Sequence, residues 1–348
     1  MSGNTDDQVD RSIAALLTER VTQHGRGPVD THSIRLWCSA VDDDNPMYWS
    51  DQQRALAPPA MVGTWTQAPP WTPSGPPVRA LELHHRLKDA LGLPTAVVRE
   101  VSHAYGVPVR VGDLLTATHR ITDVGPLRRS RLGEGRDWQV QVEHTNSDGE
   151  TAATETWSFH GYSPLPRASD GPGSSPTGDR DTATTENQLP ELPLEIDAGR
   201  IVKAAAGSGD WTRFHHDPVA ARAAGLPDII FNTPGHLALI TRWATTIAPG
   251  SRPSGLSLRL RRSVFPGDNL KVGGRIVAET TTSDGWRVLE LAVTERVRET
   301  TVATGRITLV VDGDRKSGTT VSTTSRDPWA LPADRWRALA NSPSSSLT

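Results

Sequence analysis

The sequence predicts an internally duplicated α+β fold, and three observations lead to it. Two sets of alternating runs flank a Pro/Gly/Ser/Thr-rich stretch: VRVGDLLTATHRITDV, DWQVQVEHTNSDGE and TAATETWSFHGY before it, and VFPGDNLKVGGRIVAE, GWRVLELAVTERV and TTVATGRITLVVD after it. Period-two alternation of this kind marks half-buried antiparallel strands. Each set opens on a Gly-Asp turn, Gly112–Asp113 and Gly267–Asp268. A helical part precedes each set, so each half is expected to wrap one sheet around one helix.

The elements follow in order. Residues 1–163 form the first half, and NSDGE reads as a hairpin turn between two of its strands. Residues 164–194 are too poor in large apolar groups to offset their ordering entropy and read as a linker. Residues 195–313 form the second half. There DPVAARAAGLP carries Asp217 as N-cap, Pro218 at the first helical position and Gly225 past the end. TPGHLALITRWATTIAPG follows, with Thr233 as cap and Leu237, Ile240, Trp243 and Ile247 at helical spacing. In LSLRLRRSV, Leu256, Leu258 and Leu260 point inward and the arginines outward. Residues 314–348 are a polar tail in which DPWALPADRWRALAN forms a short docking helix.

Composition excludes several classes. A chain of 348 residues is long enough for two domains. A net charge of −3 offers no clustered basic face for nucleic acid. No run approaches the ~20 apolar residues of a membrane span. The start, MSGNTDDQVD, lacks the charged and apolar regions of a secretory signal. Cys38 is the one cysteine, so no intrachain disulfide forms and a cytoplasmic location is expected. In IRLWCSAV it reads as a small buried hydrophobe.

Residues 207–218, GSGDWTRFHHDP, crowd carboxylates and imidazoles into one run. A solvated loop with a helix cap, a metal site and half of an acid–base pair are all readings of it. A metal site from His215, His216 and Asp217 is disfavoured because adjacent side chains rarely converge and no Cys pair or H-E-x-x-H accompanies them. His84 and His85 read as surface or channel lining.

This run, with ARAAGLPDIIFN after it, resembles the MaoC-like hot dog hydratases and dehydratases, whose motif is roughly S-G-D-x-N-P-[IL]-H-x-D. Asp210 stands at the motif aspartate and His215 at the motif histidine. AVDDDNPMYWSD is similar to a second copy, with Asp43, Asn45 and Pro46 matching and Tyr48 in place of the histidine. Asp43 precedes Gly112 by 69 residues and Asp210 precedes Gly267 by 57, a surplus of 12 that fits the insertion WTQAPPWTPSGPP around Trp65 and Trp71. That insertion reads as a loop over a substrate channel or a surface excursion. Thr212–Arg213 replace the motif's Asn-Pro, and Asn232–Thr233 replace His-Gly, as in catalytic halves that accept bulky polycyclic acyl groups.

The resemblance implies a double hot dog fold and a hydro-lyase interconverting 2-enoyl and (R)-3-hydroxyacyl thioesters of a bulky or long acyl group. Asp210 and His215 would then supply acid–base catalysis. The Thr233 N–H at a helix N-terminus would stabilise the enolate oxygen, with Gly235 as the next donor because Pro234 has no N–H. Asn232, Tyr48, Trp65, Trp71 and Phe231 are candidate pocket residues. Tyr48 is no base near neutrality, so the first half would shape the acyl site without catalysing. His216 is a structural neighbour. No metal and no cofactor are expected. The partner is an acyl-CoA or acyl-carrier-protein thioester, with a homodimer as candidate assembly. The competing readings are a tailoring enzyme on the same scaffold, acting on a polyketide or terpenoid, and a non-catalytic binding subunit.

Overall fold

The computed structural model describes residues 13–50, 55–67, 69, 71, 73, 80–130, 133–164, 188–313 and 326–340. The first half runs β1 (Val21–His24), α1 (Thr31–Ala40), a 3-10 helix (Pro59–Thr66), α2 (Glu82–Ala90), β2 (Thr95–Tyr105), β3 (Thr116–Val124), the short β4 (Arg128–Arg129), β5 (Gly133–Thr145) and β6 (Thr151–Pro164). The second half repeats the plan. It runs β7 (Gln188–Ile196), α3 (Ala198–Ser208), a 3-10 turn (Arg213–His215), α4 (Pro218–Ala223), α5 (Thr233–Ile247), β8 (Arg252–Leu260), β9 (Asp268–Thr281), β10 (Trp286–Val297) and β11 (Thr300–Asp312). A 3-10 turn (Pro328–Ala330) and α6 (Ala333–Ala340) close the described chain.

The duplication shows in the sheet order, β1-β3-β5-β6-β2-β8-β11-β10-β9-β7, which reads the same topology outward from its middle. β2 and β8 pair antiparallel, Glu100 opposite Arg259 and Ala104 opposite Gly255, so the two half-sheets form one. The Gly-Asp turns are built alike. Gly112 and Gly267 have φ of +94° and +91°, and the following carboxylates accept from Arg110 N and Phe265 N at 2.8 and 2.9 Å. α5 buries Leu237, Ile240, Trp243 and Ala244 against the second half-sheet. One apolar cluster extends from there into the first half, and a separate one gathers Leu83, Leu87, Trp138, Val140 and Phe159. Cys38 is fully buried, as its sequence context implies.

Several boundaries differ from the sequence reading. Residues 165–187 of the linker lie outside the described residues, but 188–194 belong to β7. Pro190 and Pro193 disguised this strand. Among the described residues it pairs only with β9, and an edge strand tolerates the missing N–H donors, here with a register shift between Leu189 and Leu192. Asn232, not Thr233, caps α5, its carboxamide oxygen accepting from Gly235 N at 3.0 Å. Within the tail, α6 is the expected docking helix, with Trp336 and Leu339 buried against Trp286, Val288 and Val310. His84 is buried rather than superficial: Nδ1 accepts from Trp138 Nε1 at 3.2 Å and its ring lies 3.8 Å from that of Phe159. Trp65 sits inside the 3-10 helix and is buried, not part of a covering loop, whereas Trp71 is 73% exposed. Residues 68, 70, 72 and 74–79 of the insertion lie outside the described residues.

Candidate active site

Asp210 leaves the C-terminus of α3 through Gly209, whose φ of +69° reverses the chain. Asp210 N returns to Ala205 O at 2.9 Å, and in the first half Asp43 N returns to Cys38 O at the same distance. The two motif carboxylates therefore exit equivalent helices by one device. Asp42, with φ +54°, takes the place of Gly209.

The 3-10 turn carries His215 back toward Asp210, with Nε2 3.3 Å from Asp210 Oδ2. His215 Nδ1 donates to the Ile230 carbonyl at 2.7 Å, which fixes the ring and turns Nε2 to the carboxylate. Asp210 Oδ1 accepts from Thr212 N at 3.2 Å. Burial works against both charges, but each group more than offsets it for the other. Asp210 is held below the usual carboxylate range by His215 and Thr212. His215 is raised above the usual imidazole value by Asp210 and the Ile230 carbonyl. Each group thus favours the charged form of the other.

Asn232 joins this pair to α5. Its amide nitrogen donates to Ser208 Oγ at 2.9 Å and lies 3.4 Å from Asp210 Oδ2, while its oxygen caps the helix. The cap corrects one expectation. Gly235 N–H is committed to Asn232 and is no free oxyanion donor, and a Cβ on Gly235 would fall 2.5 Å from the Phe231 ring. Thr233 N–H, at the first position of α5, has no hydrogen bond among the described residues. Phe231 is buried, its ring edge-on to His236 at 4.9 Å. His216 turns away from His215 to pack edge-on against Trp211 at 6.1 Å. Among the described residues no group of three or more His, Cys, Asp or Glu side chains is arranged to hold a metal.

Sequence reasoning expected the first half to shape the acyl site but missed two of its residues beside Asp210. Gln67 Oε1 and Arg26 Nη1 lie 3.2 and 3.8 Å from the point a Cβ on Gly209 would occupy, beside Asp210. In the first-half motif, Tyr48 is buried and its hydroxyl has no partner among the described residues. Burial pushes Asp43 up to about 6.

An eleven-stranded sheet of two equivalent halves, each with helices on one motif loop, is the double hot dog architecture. Comparison with known proteins agrees. Residues 15–155 match the family model of the FAS1-like, dehydratase domain region. A MaoC-like dehydratase of known structure superposes with a TM-score of 0.62 at 18% identity, covering 86% of this chain and 99% of its own. A MaoC-like dehydratase from Phytophthora capsici gives 0.59 at 15%, covering 85% and 97%. The chain thus carries the MaoC-like double hot dog fold. A Thermomonospora curvata protein described as "Probable enoyl-CoA hydratase alpha subunit" is 24% identical over 152 residues, 41% of this chain. The match spans 47% of that relative's own length.

Proposed function

We propose that this chain is a hydro-lyase that interconverts a 2-enoyl and an (R)-3-hydroxyacyl thioester of a long or bulky acyl group, with Asp210 and His215 as the catalytic pair. The observation that carries this is the 3.3 Å contact between Asp210 Oδ2 and His215 Nε2, tied through Asn232 to the N-terminus of α5. The family match of the first half and the described relative support the same reaction class.

The proposed chemistry takes Asp210 as the carboxylate base and His215 as the imidazolium acid. Water attacking C3 loses a proton to the Asp210 carboxylate. The electron pair of the C2–C3 double bond moves toward the thioester oxygen, where the unengaged Thr233 N–H and the helix dipole stabilise negative charge. His215 Nε2–H delivers a proton to C2. Transfer from Asp210 to His215 across 3.3 Å then restores the resting pair. Dehydration runs these steps in reverse. General acid–base catalysis of this kind contributes roughly 10²–10⁴ in rate.

Incubation with crotonyl, long-chain and steroid 2-enoyl-CoA thioesters, followed by loss of enoyl absorbance, tests the assignment. Hydration of at least one is expected. Stable absorbance with all three contradicts it and favours a tailoring reaction.

A further inference from the structure

A row of polar side chains crosses the inner face of the first half-sheet, where a hot dog half needs apolar contact with its helix. Strand pairing defines the row. Gln23 on β1 lies opposite Ala117, which lies opposite His144 on β5. His119 on β3 lies opposite Val142, which lies opposite Glu155 on β6, and Glu155 faces His103 on β2. Gln23, His103, His119, His144 and Glu155 therefore share one face, and each is 7% exposed or less.

The row is short of partners. Gln23 Nε2, His103 Nε2, His144 Nε2 and both ring nitrogens of His119 have no hydrogen bond among the described residues, the Nε2 atoms of His103 and His144 having Glu155 within ion-pair range; Trp65 Nε1 and the Tyr48 hydroxyl, outside the row, have no hydrogen bond either. Buried polar atoms are nearly always satisfied, so a cluster of orphans on one face marks a place where something polar binds. Glu155 Oε2 accepts from Trp157 Nε1 at 2.8 Å. Glu155 Oε1 has the imidazole nitrogens of His144 and His103 at 3.5 and 3.8 Å, and Gly63 of the 3-10 helix lies beside it, where a Cβ would come within 2.9 Å. Burial keeps His103 and His119 below the usual imidazole value, so each ring offers one donor and one acceptor.

The row is continuous with both motif loops. Thr66 Oγ1 lies 3.3 Å from His144 Nδ1, and the next residue, Gln67, approaches Gly209 beside Asp210. Tyr105 OH lies 3.3 Å from His103 Nδ1, and Tyr105 and Asp43 both lie within electrostatic reach of Tyr48. A chain held by its thioester at Asp210 thus has, one residue beyond Gln67, a buried polar floor.

We propose that this floor, Gln23, Tyr48, Trp65, His103, His119, His144 and Glu155, binds a hydroxyl group carried on the acyl chain, several carbons beyond the reacting C2–C3 bond. A hydroxyl donates to Glu155 Oε1 and accepts from an orphan N–H in one place, which a hydrocarbon chain cannot do. The proposal rests on the thioester activity assigned to Asp210 and His215, and names its substrate class as hydroxylated acyl thioesters.

Calorimetric titration of the full chain with octanoyl-CoA and with analogues bearing one hydroxyl at each carbon from C5 to C8 tests it. At least one hydroxylated ligand should bind about tenfold more tightly than octanoyl-CoA. Tyr48→Phe and Gln23→Leu each remove a buried polar atom that has no hydrogen bond among the described residues, so the fold should hold and Tm stay level or rise. The preference should shrink in at least one of them and in Glu155→Gln, and Gln23→Leu should keep the octanoyl-CoA affinity of the wild-type chain. Equal or weaker binding of every hydroxylated ligand, or an unaltered preference in both Tyr48→Phe and Gln23→Leu, overturns the proposal alone. Failure of octanoyl-CoA itself to bind overturns the thioester assignment and the proposal with it.

Discussion

Arg213 occupies a position where the related motif carries proline, and its side chain does by contact what proline does by ring closure. Nε and Nη2 reach Asp217 Oδ2 at 3.1 and 2.5 Å, while Asp217 Oδ1 caps α4 through Val219 N and Ala220 N at 3.0 Å each. The turn that presents His215 is thereby closed at both ends. The Asp210–His215 pair sets a pH window. The stability from Asp210 is present above its unfolded value of 3.8 and is lost as pH falls through its lower folded value. That from His215 is present below 6.5 and is lost as pH rises through its higher folded value. A bell-shaped kcat/KM profile is expected, with its acid limb below the ordinary carboxylate range and its alkaline limb above 6.5; a profile rising steadily above pH 8 would contradict the imidazolium role. Asp43 behaves oppositely. Folded, it keeps its proton to about 6 against 3.8 unfolded, so stability falls as pH rises through that interval. Asp43→Asn should raise stability at pH 8 by roughly 2–3 kcal/mol and change little at pH 4, read from urea midpoints.

At the scale of elements, the caps were legible and the inner faces were not. Asp217 and Pro218 announced α4, and Asn146 with Gly149 formed the expected hairpin turn between β5 and β6. Both rest on local hydrogen bonds that a few adjacent residues specify. α5 started as expected but with its cap one residue earlier, because Asn232 must both cap the helix and hold Asp210. The expected cost of Asn232→Ala is about 1 kcal/mol for the cap. Its loss in kcat should be much larger than that loss of stability implies, and equal losses would reduce Asn232 to a cap. The polar floor was invisible because alternation places polar strand residues outward by default. His119, His144 and Glu155 break that rule, and only pairing between distant strands shows that they lie on one face. β7 was hidden by its prolines, whose tolerance depends on an edge position that no local pattern reveals.

Across the whole molecule, the tail joins the two halves at their seam. Arg252, at the start of β8, is buried and stacks 3.5 Å from the Trp336 ring centroid and 5.5 Å from that of Trp329. It donates to Pro328 O at 3.2 Å and to Gly106 O beyond the end of β2. Trp336 Nε1 donates to Tyr105 O at 2.7 Å. Trp336→Ala should lower stability by about 3–5 kcal/mol in urea unfolding; a loss under about 1 kcal/mol would show that the tail is peripheral. The duplicated architecture was legible because the motif, the Gly-Asp turn and the strand sets each occur twice. The placement of Gln67 and Arg26 beside Asp210 was not, since it arises only when the two halves pack together, through β2 with β8 and α1 with α3. The chain carries one intact Asp-His pair, at Asp210 and His215, and one altered copy, at Asp43 and Tyr48. The most direct test is single-turnover hydration of a 2-enoyl-CoA that the wild-type chain accepts, run with Asp210→Asn at matched Tm. A rate loss of about 10²-fold or more is expected. Hydration by Asp210→Asn at the wild-type rate would contradict the assignment.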